Sequence, residues 1–224
     1  RSQYIPRLTW RIDWILIRRI VSVSLPRAAA LSVNRLVFIV FIAFASTFAV
    51  GSISIFKFSY NLYAVPVALV GASFSVAAFP TLVQFVHDKK FKDFLSHIVV
   101  PLQHIIFWSL PIMVLFIVLR AHIVRVVLGT GLFSWTDTRM TAAVLAVLVL
   151  AVMVQNSNLL LVRAFYALGN TWQPFLYTLF GGVVSVAFAW FTLGSMTSGS
   201  GRLLQWFADL LRVGDIADGS VLVL

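Results

Sequence analysis

The sequence predicts an all-α, polytopic membrane helix bundle. Three observations carry that expectation. Hydrophobic residues make up 61% of the chain and charged residues only 11%, with a mean hydropathy of +0.99. That balance leaves too little polar surface to coat a soluble domain. The apolar residues also fall in long runs, and a helical crossing of ~30 Å of hydrocarbon needs ~20 of them. Between the runs lie clusters of glycine, proline and charge, which read as turns.

In order, residues 1–24 form a basic segment in which Arg1, Arg7, Arg11, Arg18 and Arg19 alternate with Tyr4, Trp10 and Trp14. Charge mixed with aromatics suits a membrane surface. It is not the layout of a signal peptide, and Arg1 reads as an internal start. Residues 25–193 hold five spans. The first runs from Ala28 to Val50, after Pro26. The second, Ile55 to Val86, is too long to cross straight, and Pro66, Gly71 and Pro80 interrupt it. Kinks are expected at both prolines. The polar run His87 to Asp93 follows, then a third span, Phe94 to Leu119, with Pro101 and Pro111 as further breaks. A connector over 120–140 includes a short interfacial helix, Ile123 to Leu128. The fourth span is Met140 to Leu168 and the fifth Phe175 to Leu193, with the turn signal Gly169 to Pro174 between them. Residues 194–224 supply a Gly/Ser loop, an amphipathic stretch (Leu203 to Val213) and the start of a sixth span at Val221.

The net charge is +10, with no glutamate. The positive charge sits beside apolar runs rather than in a solvated domain, so no nucleic-acid partner is expected. With no cysteine, disulfides and thiolate metal sites are excluded. No metal or cofactor is expected, and no phosphate-binding glycine loop follows a strand. Lys89, Lys90, Lys92 and Arg163 fall on the same side as the N-terminal arginines. Lys57, Arg120, Arg125, Arg139, Arg202 and Arg212 fall on the other, offset by Asp137, Asp209, Asp215 and Asp218. The bias places the N-terminal segment in the cytoplasm.

Several stretches resemble one family. Phe58 to Pro66, Gly71 and Ala77 to Leu82 are similar to the eighth helix of MurJ (MviN) lipid II flippases. Gly131-Leu132-Phe133, Asp137-Thr138 and Thr141-Ala142 follow in family order. Arg163, Phe165, Tyr166, Asn170, Thr171 and Pro174 resemble the motif closing the tenth helix, and Leu25-Pro26 the start of the seventh. The resemblance implies helices seven to eleven, plus the start of the twelfth, of a fourteen-helix, two-lobe transporter in a bacterial cytoplasmic membrane. The first lobe would be a missing partner. The substrate implied is an undecaprenyl-diphosphate-linked peptidoglycan precursor, moved outward by alternating access, with no catalytic residues and no enzyme activity. Two departures stand out. The family's cavity-facing arginine is here Asn61, and its usual motif aspartate is Asn170.

Such transport needs a water-filled, cationic cavity, and arginine suits diphosphate because its planar fork bonds bidentately. Arg35, beside Asn34, lies within the first span, where a central arginine costs roughly 2.5–3.5 kcal/mol. It either faces a cavity or snorkels to the inner surface. Lys57 and Asn61 share a helical face; Lys57 either replaces the missing charge or anchors at the outer surface. Gln155 to Asn158 either line the cavity or bond between helices, the commoner role. His97 and His104, seven apart, are packed histidines or a proton relay. The rivals to a lipid II flippase are a related lipid-oligosaccharide or drug exporter, and a non-transporting membrane scaffold.

Overall fold

The computed structural model describes residues 13–48, 50–129, 131 and 133–197 (the side chains of 19 and 193–197 excepted). The expected amphipathic stretch, Leu203 to Val213, and the start of a sixth span at Val221 lie outside them, as do residues 1–12.

Eight α-helices and one π-helical turn account for nearly all of this: α1 (Trp14–Ala45), α2 (Ser52–Pro66), the π turn (Val67–Ala72), α3 (Ser73–His87), α4 (Phe91–Val118), α5 (Arg120–Leu128), α6 (Trp135–Leu150), α7 (Val152–Ala167) and α8 (Trp172–Thr197). Four are long and apolar enough to span a membrane: α1, the continuous α2–π–α3 unit (Ser52–His87), α4 and α8. The pair α6 and α7, bent by 45° at Ala151, adds a fifth when the two are counted as one broken span. The chain is therefore a polytopic helical membrane protein, as its composition requires.

The ends of the helices follow local chemistry. Asp13 caps α1 by accepting from the Ile15 and Leu16 amides at 3.1 and 3.4 Å. Ser134 and Asp137 form a reciprocal capping box at α6. At the end of α3, Lys89 adopts a positive φ of 58°, and the Lys90 amide reaches back to the Phe85 carbonyl at 3.0 Å, the geometry that closes the last orphan carbonyls.

Three expectations about the spans are corrected. First, α1 starts at Trp14, inside the expected interfacial segment, and runs on through Pro26. Second, Pro101 and Pro111 do not break α4, and Pro80 lies inside α3; each costs one backbone bond, which a packed membrane helix tolerates. The interruption of the long second span is a π turn, Val67–Ala72, that begins after Pro66 and contains Gly71, two of the expected breakers. Third, the fourth span is divided at Ala151, with no glycine or proline to announce it.

Packing is layered along the membrane normal. At one end Leu62, Val124, Leu145, Val149 and Val152 form a cluster from α2, α5, α6 and α7. The middle layer is Val70, Ile105 and Leu160, and the other end Leu82, Phe94 and Ala164. The connector helix α5 thus belongs to the core, with Val124 fully buried. By contrast α1 and α8 pack mainly on each other. A groove of about 680 Å³ between them is lined by apolar residues including Val33, Val37, Gly182 and Trp190.

Candidate functional site

Helices α1 and α2 are antiparallel, joined by a short turn, and their register is set by aromatic contacts. The Phe38 ring of α1 lies 4.8 Å from Tyr60 and 5.8 Å from Phe56 of α2, centroid to centroid. Phe38 is therefore level with the turn between Phe56 and Tyr60. Three residues farther from the connecting turn on each helix bring Arg35 and Asn61 to the same depth. Arg35 lies ten residues before the end of α1 at Ala45, about 15 Å at 1.5 Å per residue. Asn61 lies nine residues into the span that starts at Ser52, about 14 Å. Both are near the middle of a ~30 Å core. Asn34, Arg35, Lys57 and Asn61 are all exposed on this chain. None of them lines the apolar groove between α1 and α8.

The buried polar groups lie elsewhere. The Asn156 side chain of α7 is fully buried and donates to Ser109 Oγ of α4 at 2.9 Å. Its carboxamide oxygen has no hydrogen-bond partner and sits against Gly71 in the π turn. Ser59 of α2, also fully buried, donates to the Ile55 and Thr141 carbonyls, both at 2.9 Å. Asn156 thus takes the interhelical role rather than lining a cavity. Ser157 bonds within its own helix to the Met153 carbonyl, and Asn158 is exposed. Ser109 and Ser59 carried no sequence signal, being ordinary serines in apolar runs.

At the opposite end, the stretch Arg163 to Pro174 builds a turn. Gly169 has a φ of 74°, and the Asn170 amide donates to the Phe165 carbonyl at 3.1 Å. The Asn170 side-chain oxygen accepts from the Gln173 amide at 3.3 Å, so a local capping bond of the kind an aspartate makes survives without the charge. Thr171 and Pro174 are buried in the corner, Arg163 is half-buried, and the Phe165 ring meets Tyr177 of α8 at 6.4 Å. The Tyr166 ring carries the Arg27 guanidinium 5.2 Å above its centre, tying α1 to α7. The histidines are engaged locally. His97 and His104 place Nδ1 on the carbonyls four residues earlier, at 3.0 and 2.8 Å, and their rings lie against Phe85 and Phe74. Among the described residues no group of three or more His, Cys, Asp or Glu side chains could hold a metal ion.

These residues lie within a stretch that matches a known family. The family described as "Lipid II flippase MurJ" matches residues 3–201. The chain belongs to the MurJ family. Among curated proteins of that family, a probable lipid II flippase MurJ from Bdellovibrio bacteriovorus is 26% identical over 89% of this chain and 39% of its own length. One from Thermotoga maritima is 26% identical over 70% of this chain and 32% of its own, and one from Rickettsia prowazekii 28% identical over 62% and 28%. The chain therefore spans about two fifths, or less, of these MurJ relatives. No solved structure matches it.

Proposed function

We propose that the intact protein moves a lipid-linked peptidoglycan precursor, lipid II, outward across a bacterial cytoplasmic membrane by alternating access, and that this chain supplies most of one lobe. The first lobe, outside this chain, would face it and close the cavity. The protein makes and breaks no covalent bond in this reading. Its work is to offer the diphosphate a fixed, hydrated positive charge midway through the bilayer.

The observation that carries this is the depth shared by Arg35 and Asn61. The family places its arginine on α2, where Asn61 stands here. Register puts Arg35 of the neighbouring helix at the same level, about 12 Å from Arg27 and about 15 Å from Ala45 by helical rise. Both ends are too far for easy snorkelling, so a cavity-facing arginine is the lower-energy arrangement. Lys57, one turn above Asn61, adds a second cation. Orientation is supported by the opposite end, where Lys89 and Lys90 in the α3–α4 turn and Lys92 in the first turn of α4 join Arg27 and Arg163, a cytoplasmic pattern.

The test is depletion of the full-length protein, complemented with Arg35→Glu plus Lys57→Glu. Outward appearance of lipid II is measured by its accessibility to an external probe. The charge-reversed protein is expected to accumulate normally and fail to restore it. Full complementation would favour a scaffold, and unchanged lipid II on depletion alone would favour another lipid-linked oligosaccharide as cargo.

A further inference from the structure

The long second span is interrupted where Pro66 and Gly71 mark it, and the interruption takes a form the sequence does not specify. Between α2 and α3 the backbone adopts a π turn, Val67–Ala72, which adds one residue to a helical turn and is frequent at functional positions. Its effect is rotational. In an uninterrupted α-helix, at ~100° per residue, Ser73 and Gln84 would point about 160–180° away from Lys57. Ser75 and Leu82 would share the Lys57 face. One extra residue turns α3 back by about 100°. The observed burial matches the rotated arrangement. Ser73, Ala77 and Gln84 are exposed like Lys57, Asn61, Ala64 and Ala68 above them, whereas Ser75 and Leu82 are fully buried.

The turn is seated by one close approach. A Cβ on Gly71 would overlap the Asn156 carboxamide oxygen and lie 2.8 Å from Asn156 Cα, so only glycine lets α7 come this near. The bare Gly71 backbone leaves room for that otherwise unpartnered oxygen, while Ser109 holds the amide nitrogen. Asn156 is therefore clamped from both sides against the π turn.

We propose that the π turn, seated by Gly71 against Asn156, is the positioning element of this span. It turns Ser73, Ala77 and Gln84 round to the exposed side of the span that carries Lys57 and Asn61, so that polar groups recur along that side for the hydrated head group. Asn156 and Gly71 are positioning residues that never touch the substrate. This rests on the transport reading above, but the register itself is tested without substrate.

Single cysteines are placed at Ser73, Gln84, Ser75 and Leu82 in a cysteine-free version of the full-length protein. They are probed in membranes with a hydrophilic, thiol-reactive methanethiosulfonate. The expected pattern is reaction at Ser73→Cys and Gln84→Cys and protection at Ser75→Cys and Leu82→Cys. Deleting Leu69, exposed within the turn, is expected to lower the rate at Ser73→Cys and Gln84→Cys about tenfold, as access to the thiol is lost. The same deletion is expected to open Ser75→Cys and to stop lipid II appearance. Leu69→Ala, which keeps the residue count, is expected to leave labelling and transport unchanged. Asn156→Ala is expected to weaken the contrast between the two pairs. The reverse pattern in the undeleted protein, an unchanged pattern after deletion, or normal lipid II appearance despite a switched pattern would each overturn the proposal. Should the deleted protein not accumulate, the pattern in the undeleted protein decides. If the intact protein moves no lipid II at all, the functional reading fails, and the labelling still judges the register.

Discussion

The proposal that Arg35 of α1 supplies the cavity's positive charge is testable at that residue. If Arg35 provides from α1 the charge that relatives place at Asn61, Arg35→Gln should lower lipid II appearance about tenfold or more, since hydrogen bonds to charged groups are worth ~1.5–3 kcal/mol. Asn61→Arg should then restore it, because the two positions share a depth. Failure of that rescue, with both proteins present at normal levels, would separate Arg35 from the substrate. The residue scale also shows where sequence reading stops. Arg35, Lys57 and Asn61 stand out because charge and amide are costly in an apolar run. Asn156 stands out for the same reason, yet only the structure shows that its partners are Ser109 and Gly71. Serine and glycine carry no such cost, so their part in the clamp is silent in one dimension.

At the scale of elements, the spans were legible because hydrocarbon thickness dictates their length, while only the interruption at Pro66 and Gly71, where the π turn lies, could be read. Pro101 and Pro111 look like breaks and leave α4 continuous; the bend at Ala151 has no breaker beside it. Both outcomes depend on packing partners that proline statistics do not contain. Turn chemistry was more readable. Gly169 occupies a left-handed conformation (φ 74°), where an added Cβ meets no neighbour but suffers backbone strain. Gly169→Ala should therefore destabilise the α7–α8 corner by ~1 kcal/mol. Ser134→Ala, which removes the capping box of α6, should cost ~1 kcal/mol as well. Thermal unfolding of the detergent-solubilised full-length protein checks both, and an unchanged midpoint would deny these turns their assigned role.

At the scale of the whole chain, the described helices divide unevenly. The α2–α7 group shares three stacked layers of core, whereas α1 and α8 pack chiefly on each other. The α1–α8 pair meets the larger group through the Phe38 aromatic contacts, through Tyr177 against Phe165 and, near the α7–α8 corner, through Arg27 on Tyr166. With Arg27 exposed and Tyr166 half-buried, the cation over the ring contributes about 1 kcal/mol, enough to bias two arrangements of helices without locking either. An alternating-access protein needs such a joint, because a contact much stronger than this would trap one opening. Tyr166→Phe keeps the ring face and should leave the joint intact, whereas Tyr166→Ala should release the inner end of α1. Spin labels on the inner ends of α1 and α7 of the full-length protein should then report a broader, longer distance distribution for Tyr166→Ala and an unchanged one for Tyr166→Phe. Identical distributions for all three proteins would mean that the Arg27–Tyr166 contact does not hold α1 to the bundle.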